Sequence, residues 1–134
     1  MLTVLNELKT ALTNIGNDSV YLAFDAQPAS AKGKYITVIG TKSFEYLAPV
    51  YSPYTIYFPF RTELEISVTA PEYSDISSLY TYFSTKVQPA VDNMSGLCSR
   101  LSKLTVKHDT NLKKLVLTAV FSAGGIRQTE RSIE

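Results

Sequence analysis

The residues that could do acid–base, nucleophilic or metal chemistry are few and isolated in this chain. Its single histidine, His108, lies beside a predicted turn among lysines, and its single cysteine, Cys98, has no partner at CxxC spacing. General acid–base catalysis needs a base within reach of a nucleophile, and zinc needs a cluster of ligands that one cysteine and one histidine do not supply. We therefore interpret His108 as a solvated side chain and Cys98 as a buried or inert thiol.

Two carboxylates, Glu63 and Glu65, are spaced so that they share one face of a predicted strand. Paired carboxylates can serve hydrolysis or hold a metal, but a solvent-facing polar strand face is the alternative that we favour. The segment GTKS at 40–43 is similar to a phosphate-binding loop but fails its pattern, because Ile36 and Thr41 stand where that loop requires glycine. The sequence therefore predicts no enzyme, no cofactor and no metal site.

Composition favours one globular domain that acts without a strong electrostatic field. The chain has 134 residues, of which 45% are hydrophobic, and 13 basic against 12 acidic residues give a net charge of +1. A domain of this size buries about two thirds of its unfolded surface and needs no disulfides. The first residues lack the pattern of a signal peptide, and no stretch reaches the roughly 18 apolar residues of a membrane span. We expect an intracellular, soluble protein with no membrane partner.

Two segments have a composition that is typical of contact surfaces. Residues 44–60 form an aromatic arm with three prolines, for which we predict a hairpin or loop that projects from the sheet. Tyrosine is enriched at interfaces, although ordinary core filling by these rings is the alternative. The second segment is a basic hairpin over 100–114, which contains Lys107, Lys113 and Lys114. It fits either phosphate contacts or a sheet edge that lysines protect from pairing.

The spacing of hydrophobic residues predicts one helix followed by two strands in the first part of the chain. Apolar residues recur at helical spacing over 2–15, and Gly16 is placed to end that helix in a left-handed cap. Residues 20–25 and 35–39 alternate as strands. One apolar stripe on the helix implies one packing partner, which we expect to be the sheet.

The stretch TELEISVTAPEYSDISSLYTYFSTKV changes its period from strand to helix within a few residues. Alternation runs over 62–70, Pro71 blocks continuation of the ladder, and Ser74 or Asp75 is expected to cap a helix that ends or kinks near Pro89. The predicted apolar stripe of this helix consists of Ile76, Leu79, Tyr80, Phe83 and Val87.

The remaining residues predict a closing hairpin and a tail. Strands over 103–108 and 113–122 flank a turn, the glycines at 124–125 break the pattern, and 126–134 is a polar tail. The predicted fold is α+β, a single domain over 1–125 in which two helices pack on an antiparallel sheet. Its element order is helix, strands, helix, hairpin.

In this order the elements resemble the tail terminator proteins (tail completion, or head–tail joining, proteins) of tailed bacteriophages and phage-like contractile particles. The resemblance covers residues 1–122. It rests on the stretches VLNELKTALTNI, VYLAFDAQP with YITVIG, TELEISVTAPEYSDISSLYTYF, and LTVKHD with KKLVLTAV. The aromatic arm at 44–60 departs from the compact members of that family.

The resemblance implies a structural virion protein that forms a ring, commonly a hexamer, at the head-proximal end of the tail tube. There it would end tube polymerisation and join the tail to the neck. The implied partners are other copies of the chain, the tail tube protein, a head-completion or neck connector protein, and genomic DNA that passes through the lumen without sequence recognition. The implied location is the tail–neck junction of the virion, after assembly in the host cytoplasm.

On this interpretation, arms and strand edges of identical copies meet head to tail. Glu63 and Glu65 would face the DNA-conducting lumen, where negative charge prevents sticking. The alternative function is a small nucleic-acid-binding module that uses the basic hairpin 100–114. The predicted subunit or partner contacts are Tyr51, Tyr54, Tyr57, Phe58, Ile126 and Arg127.

Overall fold

Long β-strands dominate the computed structural model, which describes residues 2–17, 19–23, 35–94, 96–111 and 113–130. In chain order the elements are helix α1 (Leu2–Ile15), strands β1 (Val20–Leu22), β2 (Ile36–Tyr46), β3 (Val50–Tyr51) and β4 (Thr55–Pro71), helix α2 (Ile76–Tyr82), a π-helical turn (Phe83–Val87), helix α3 (Gln88–Asp92), and strands β5 (Leu97–Asp109) and β6 (Lys114–Glu130). Because α2, the π-helical turn and α3 follow one another directly, they form one helical segment. The chain is therefore α+β, with two helical segments and a six-stranded sheet.

The sheet is mixed, whereas the sequence predicted an antiparallel one. Its strand order is β1-β2-β4-β6-β5, and β3 pairs with β4. The β1–β2 pair is parallel, with Val20 opposite Thr37, while the other pairs are antiparallel. Alternation along a strand carries no information on the direction of its neighbour, so the sequence pattern could not reveal this pair. Of the predicted strand at 20–25, the last two residues lie outside the described part of the chain.

The helical segments pack on one face of the sheet and enclose the core with it. The apolar stripe predicted for α1 is confirmed, because Leu5, Leu8 and Leu12 are buried. The sheet presents alternate residues of β4 and β6 to these helices, as their pleat requires. The largest fully buried side chains are Leu8, Leu12, Ile39, Leu64, Ile66, Val68, Leu79, Phe83, Val87, Val91, Leu117 and Phe121.

Of the five residues predicted to form the apolar stripe of the second helix, three are buried and two are exposed. Leu79, Phe83 and Val87 are buried against the sheet, but Ile76 and Tyr80 are exposed. The core of this segment continues instead into α3, where Val91 is fully buried. The predicted stripe stops at Val87 because Pro89 favours an end or a kink of the helix near that residue.

A π-helical turn carries the helical segment across Pro89. Gln88 donates its backbone N–H to the carbonyl of Phe83, five residues earlier, and Pro89 lies in the first turn of α3. Proline has no N–H to donate, and a wider turn before it reduces the clash of its ring with the preceding turn. The helix therefore changes its hydrogen-bond pattern near Pro89, where the sequence predicted an end or a kink, and it continues to Asp92.

Strand β6 runs through the segment that the sequence assigned to a break and a polar tail. Residues 126–130 pair with β4 as the last part of β6, and 131–134 lie outside the described residues. A side chain at Gly125 would meet the carbonyl oxygen of Gly96 and would come within 2.8 Å of the Phe60 ring. The glycine at 125 therefore permits a close approach of three chain segments, at a position where the sequence pattern predicted a strand end.

Candidate assembly surface

The sheet extends beyond its helical layer as a ribbon at one end. We call residues 44–60 and 125–130 the aromatic ribbon: they comprise the end of β2, all of β3, the start of β4 and the end of β6. The buried core ends near Phe60 and Ala123, and the ribbon beyond them is half-buried or exposed. The segment predicted as a hairpin or loop is thus divided among strands of the sheet.

The ribbon tolerates its prolines because they lie where no ladder donor is needed. Strand β2 ends at Tyr46, and the amide of the next residue, Leu47, donates to the carbonyl of Pro59 at 2.8 Å. Strand β3 then begins at Val50 on the same side of β4. In an antiparallel pair, the N–H and C=O of one residue point to the same neighbour. The missing donor of Pro59 therefore faces the gap between β2 and β3, which contains Pro49.

A tight turn closes the tip of the ribbon between β3 and β4. The Ser52 amide donates to the carbonyl of Thr55 at 2.8 Å, and the Thr55 amide donates to the Ser52 hydroxyl oxygen at 3.0 Å. Tyr54 lies in this turn and is 70% exposed, and Tyr51 beside it is 64% exposed. Serine and proline at the start of the turn supply the local hydrogen bond and the fixed backbone angle.

An aromatic cluster covers the helix-side face of the ribbon. The Phe44 ring stacks on Phe60 with centroids 5.3 Å apart and meets Tyr46 edge-on at 5.0 Å. Tyr46 in turn meets Phe58 edge-on at 6.2 Å. Phe60 is buried where it adjoins the core, but Tyr46 is half exposed, so the cluster opens to solvent along the ribbon.

The opposite face of the ribbon is also apolar. Val50 pairs with Tyr57, and Pro59 pairs with Ile126, so these four side chains share the face that points away from the helices. Val50 and Ile126 are both more than half exposed. A two-sided apolar ribbon cannot bury both faces against its own domain, and exposed patches of this kind mark interaction sites.

A groove runs along the helix-side face between the two edges of the ribbon. It has a volume of about 600 Å³ and is lined by Tyr46, Leu47, Pro49, Phe58, Arg127 and Gln128. Arg127 lies directly opposite Phe58 in the β4–β6 ladder. Among these lining residues Arg127 carries the charge, so the groove is apolar with a positive rim.

The structure brings the predicted contact residues together in one ribbon. Tyr51 and Tyr54 lie at its tip, and Tyr57 and Phe58 occupy opposite faces of β4. The two predicted tail residues are strand residues on β6, where they flank β4. Sequence reasoning missed Tyr46 and Leu47 as groove residues, although the aromatic composition of 44–60 contained the signal.

Glu63 and Glu65 lie together on the face of the sheet that points away from the helices, as predicted. Glu63 lines a depression of about 460 Å³ with Glu45 and Arg61, which form an ion pair. Glu65 lines a different depression, of about 270 Å³, with Gly40. Because each carboxylate borders its own depression, this geometry gives no support to joint action of the pair on one bound substrate.

The basic residues of β5 share that outer face with the two glutamates. A register shift at Leu101–Lys103 keeps Arg100 and Lys103 on one face of β5, and Lys107 follows on the same face. Lys103 is opposite Val120, which is opposite Glu65 on β4. The basic stripe and the acidic stripe are therefore two strands apart, at roughly 10 Å.

The two predicted phosphate-contacting lysines near the hairpin turn differ in position. Lys114 begins β6 opposite Asp109, while Lys113 lies in the turn with a left-handed φ of 54°. Lys113 also uses its carbonyl to accept from the amide of Glu72 at 3.3 Å. Only Lys114 therefore continues the line of β5 lysines along the outer face.

The isolated chemistry-bearing residues have no catalytic neighbours in the described part of the chain. His108 Nε2 lies 3.0 Å from a carboxylate oxygen of Glu72, and both side chains are about half exposed. Cys98 is a free, exposed thiol. Among the described residues, no group of three or more histidine, cysteine, aspartate or glutamate side chains could hold a metal ion. Nor is any helix in that part of the chain long and apolar enough to cross a membrane.

Comparisons with known proteins identify no family for this chain. No protein-family model matches the chain, and no curated protein matches it either. Among solved structures, the type 4 fimbrial biogenesis protein PilO from Pseudomonas aeruginosa is 14% identical over 96% of this chain and 69% of its own, with a TM-score of 0.34. The core region of PilO from the type IV pilus system of the same organism is 17% identical over 72% and 84%, with a TM-score of 0.28. Scores this low support no inference about function.

Proposed function

We propose that the chain is a structural assembly protein of the tail terminator type, whose copies close a hexameric ring at the head-proximal end of a tail tube. The observation that carries the proposal is the aromatic ribbon, which presents apolar side chains on two faces and at its tip. The resemblance of the sequence to that family adds the type of assembly. In this role the chain works by contact, and no bond is made or broken.

Free strand edges supply a second kind of contact for a ring. Among the described strands, β5 pairs with β6 alone, and β1 covers β2 only as far as Ile39. Unpaired edges carry backbone donors and acceptors that a neighbouring copy can use. On this proposal the ribbon projects beyond its own domain, and its tip at Tyr51 and Tyr54 reaches a neighbouring copy, the tube protein or a neck connector.

Glu63 and Glu65 are proposed to face the lumen through which DNA passes. Their outer face also carries Lys103 and Lys107, so the charge presented to DNA would be mixed. Only the two glutamates, which lie on β4, would then repel the phosphates of the DNA. Unchanged DNA passage and infectivity after replacing both glutamates with lysine would count against this part of the proposal.

The test of the proposed function is the mass of the purified chain, alone and after mixing with tail tubes, measured by analytical ultracentrifugation. We expect wild-type chain to co-sediment with tubes at a stoichiometry of one ring per tube. The variant Tyr51→Ser/Tyr54→Ser should lose this binding, because it removes the two exposed rings at the ribbon tip. The control Thr3→Ser/Asn6→Ser alters exposed residues on α1 and should bind as wild type does. Wild-type chain that never co-sediments with tubes would contradict the proposal.

The arrangement of lysines favours nucleic-acid binding as the second candidate function. Arg100, Lys103, Lys107 and Lys114 line one face along β5 and the start of β6. If they contact phosphates, affinity for DNA should fall steeply with salt. Replacing Lys107 and Lys114 with glutamate should then reduce the slope of log affinity against log salt concentration by about two units. Reversing Lys113, which lies in the turn, is the matched control and should change the slope less. Salt-independent binding, or none, would exclude this function.

A further inference from the structure

The outer face of the sheet, which points away from the helices, keeps its central acids and bases on different strands. Glu63 and Glu65 lie on β4, Arg100 and Lys103 lie on β5, and β6 runs between these two strands. Three of the four side chains are exposed, and Glu65 is half-buried. Among the described residues, no ion pair involves any of the four. Since two strand spacings separate acid from base, these charges are placed to meet a partner rather than each other.

The β-ladders align these charges in two rows that cross β4, β6 and β5 in the order acid, small side chain, base. The rows are Glu63–Ser122–Arg100 and Glu65–Val120–Lys103. Serine and valine are short, whereas the charged side chains on either side of them are long. The outer face therefore has a shallow trough along β6, with negative charge on one side and positive charge on the other.

We infer that this outer face binds the outer face of a second copy of the chain, across a two-fold axis parallel to β6. Rotation about such an axis exchanges the two sides of the trough and keeps each residue at its own level along the strand. Strand β4 of one copy then faces β5 of the other, so Glu63 meets Arg100 and Glu65 meets Lys103. Symmetry repeats both contacts, which gives four ion pairs in the dimer.

The charges select this axis over the other way of stacking two such faces. A two-fold axis perpendicular to the strands would place β4 on β4 and β5 on β5, where like charges repel. A net charge of +1 leaves little general repulsion between copies. The alternative is an outer face that stays in solvent, as in many antiparallel sheets, but a solvated face needs no matched order of charge in successive rows.

The area of this face is that of a weak dimer. Three strands at about 4.8 Å and roughly nine residues at about 3.3 Å give about 450 Å² on each copy. The total of about 900 Å² is below the roughly 1,200 Å² that stable complexes bury. We therefore expect a dissociation constant of about 10 to 100 µM at low salt, and weaker association at high salt because exposed ion pairs are screened.

This dimer goes beyond the proposed function, because it forms from the free chain without a tube. The face that it covers is the one proposed to point to the lumen. A copy within the dimer therefore does not present Glu63 and Glu65 to DNA, and the dimer must separate before its copies enter a ring.

Charge-reversal variants test the pairing by sedimentation equilibrium at low salt. The acid variant Glu63→Lys/Glu65→Lys and the base variant Arg100→Glu/Lys103→Glu should each self-associate at least about 10-fold more weakly than wild type. Their equimolar mixture should form a one-to-one dimer, because every pair then joins an acid to a base. The variant that combines all four changes keeps the net charge and exchanges the two sides, so it should dimerise as wild type does. Glu7→Lys, at an exposed position of α1, is the control and should change little.

A cross-link locates the axis independently of the charges. Ser122 lies on β6 and faces its own copy across the proposed axis, and stacked sheets are about 10 Å apart. In a Cys98→Ser background, Ser122→Cys should therefore be joined to a dimer by a short bis-maleimide. Thr3→Cys in the same background lies on α1, on the other side of the sheet, and should stay monomeric.

The opposite results overturn the inference. Wild-type chain that stays monomeric at about 1 mM and low salt excludes the dimer. If the combined variant unfolds at the wild-type temperature but does not dimerise, or if Ser122→Cys gives no cross-linked dimer, the two faces do not meet in this way. Each of these failures leaves the proposed function standing, since tube binding is measured separately. A chain that dimerises as described but never binds tubes would refute the proposed function alone.

Discussion

At the scale of residues, one buried asparagine ties α1 to the second helical segment. The Asn17 Nδ2 donates to the carbonyl oxygens of Leu12 at 2.8 Å and Lys86 at 2.7 Å. Its Oδ1 accepts from the hydroxyl groups of Tyr82 and, at 3.4 Å, Thr37. A buried polar side chain that satisfies several partners stabilises one arrangement of the elements around it.

We expect Asn17→Ala to lower the free energy of unfolding by about 2 to 4 kcal/mol. The substitution removes the side-chain bonds to the Lys86 carbonyl and the Tyr82 hydroxyl in a buried position, where a lost partner is costly. The Leu12 carbonyl still accepts from the backbone N–H of residue 17. Urea unfolding measures the change. Asn6→Ala, at an exposed position of α1, is the matched control and should cost less than about 0.5 kcal/mol apart from small propensity effects. Equal losses in the two variants would contradict this role.

The sequence could not reveal this asparagine, but it did reveal the glycine before it. Gly16 was predicted to end α1 in a left-handed cap, and its φ of +114° with a bond to the Thr13 carbonyl confirms that prediction. A left-handed glycine follows from local sterics, which a pattern can show. Apart from Leu12, the partners of Asn17 are 20 to 69 residues away, and only the tertiary fold brings them together.

At the scale of elements, the strand-to-helix unit shows how local chemistry sets a boundary. Pro71 ends β4, and the Ser74 amide donates to the Pro71 carbonyl at 2.9 Å to make the turn. Asp75 has an extended backbone and accepts from the Ser77 amide at 3.1 Å, so it is the N-cap of α2. The prediction of a cap at Ser74 or Asp75 is confirmed at Asp75.

Replacing the cap should weaken the helix by a known amount. We expect Asp75→Ala to lower the free energy of unfolding by about 1 kcal/mol, because the Ser77 amide loses its acceptor. Asp75→Asn keeps a side-chain oxygen in the same place and should lower the free energy of unfolding by only a few tenths of about 1 kcal/mol. Thermal unfolding followed by circular dichroism compares the two. If Asn lowers stability as much as Ala does, the cap is not the source of the effect.

The lengths of the strands were the least predictable part of the fold. The strand expected over 62–70 runs from Thr55 to Pro71, and the one expected over 113–122 runs on to Glu130. Prolines and glycines suggested boundaries in both places. Pro59 faces a gap in the neighbouring strand, and Gly125 lies under a ring, so each is accommodated by a partner that is distant in sequence.

At the scale of the whole molecule, the sequence located the aromatic segment but not the form that it takes, and its role as a contact surface stays a prediction. The aromatic composition of 44–60 predicted a contact surface, and the structure places those residues in a ribbon beyond the core. The exposure of Ile76 and Tyr80 was not predicted, because both residues fit the helical period of a core stripe. Periodicity gives the angle of a residue around a helix, but the neighbouring elements decide which angles are covered.

The most direct measurement is electron microscopy of tail tubes to which the purified chain has been added. The account predicts a ring of density at one end of each tube, and tubes with that ring should not elongate when more tube protein is supplied. With the Tyr51→Ser/Tyr54→Ser variant, the ends should be bare and elongation should continue. Tubes that keep growing, without terminal density, in the presence of the wild-type chain would contradict the account.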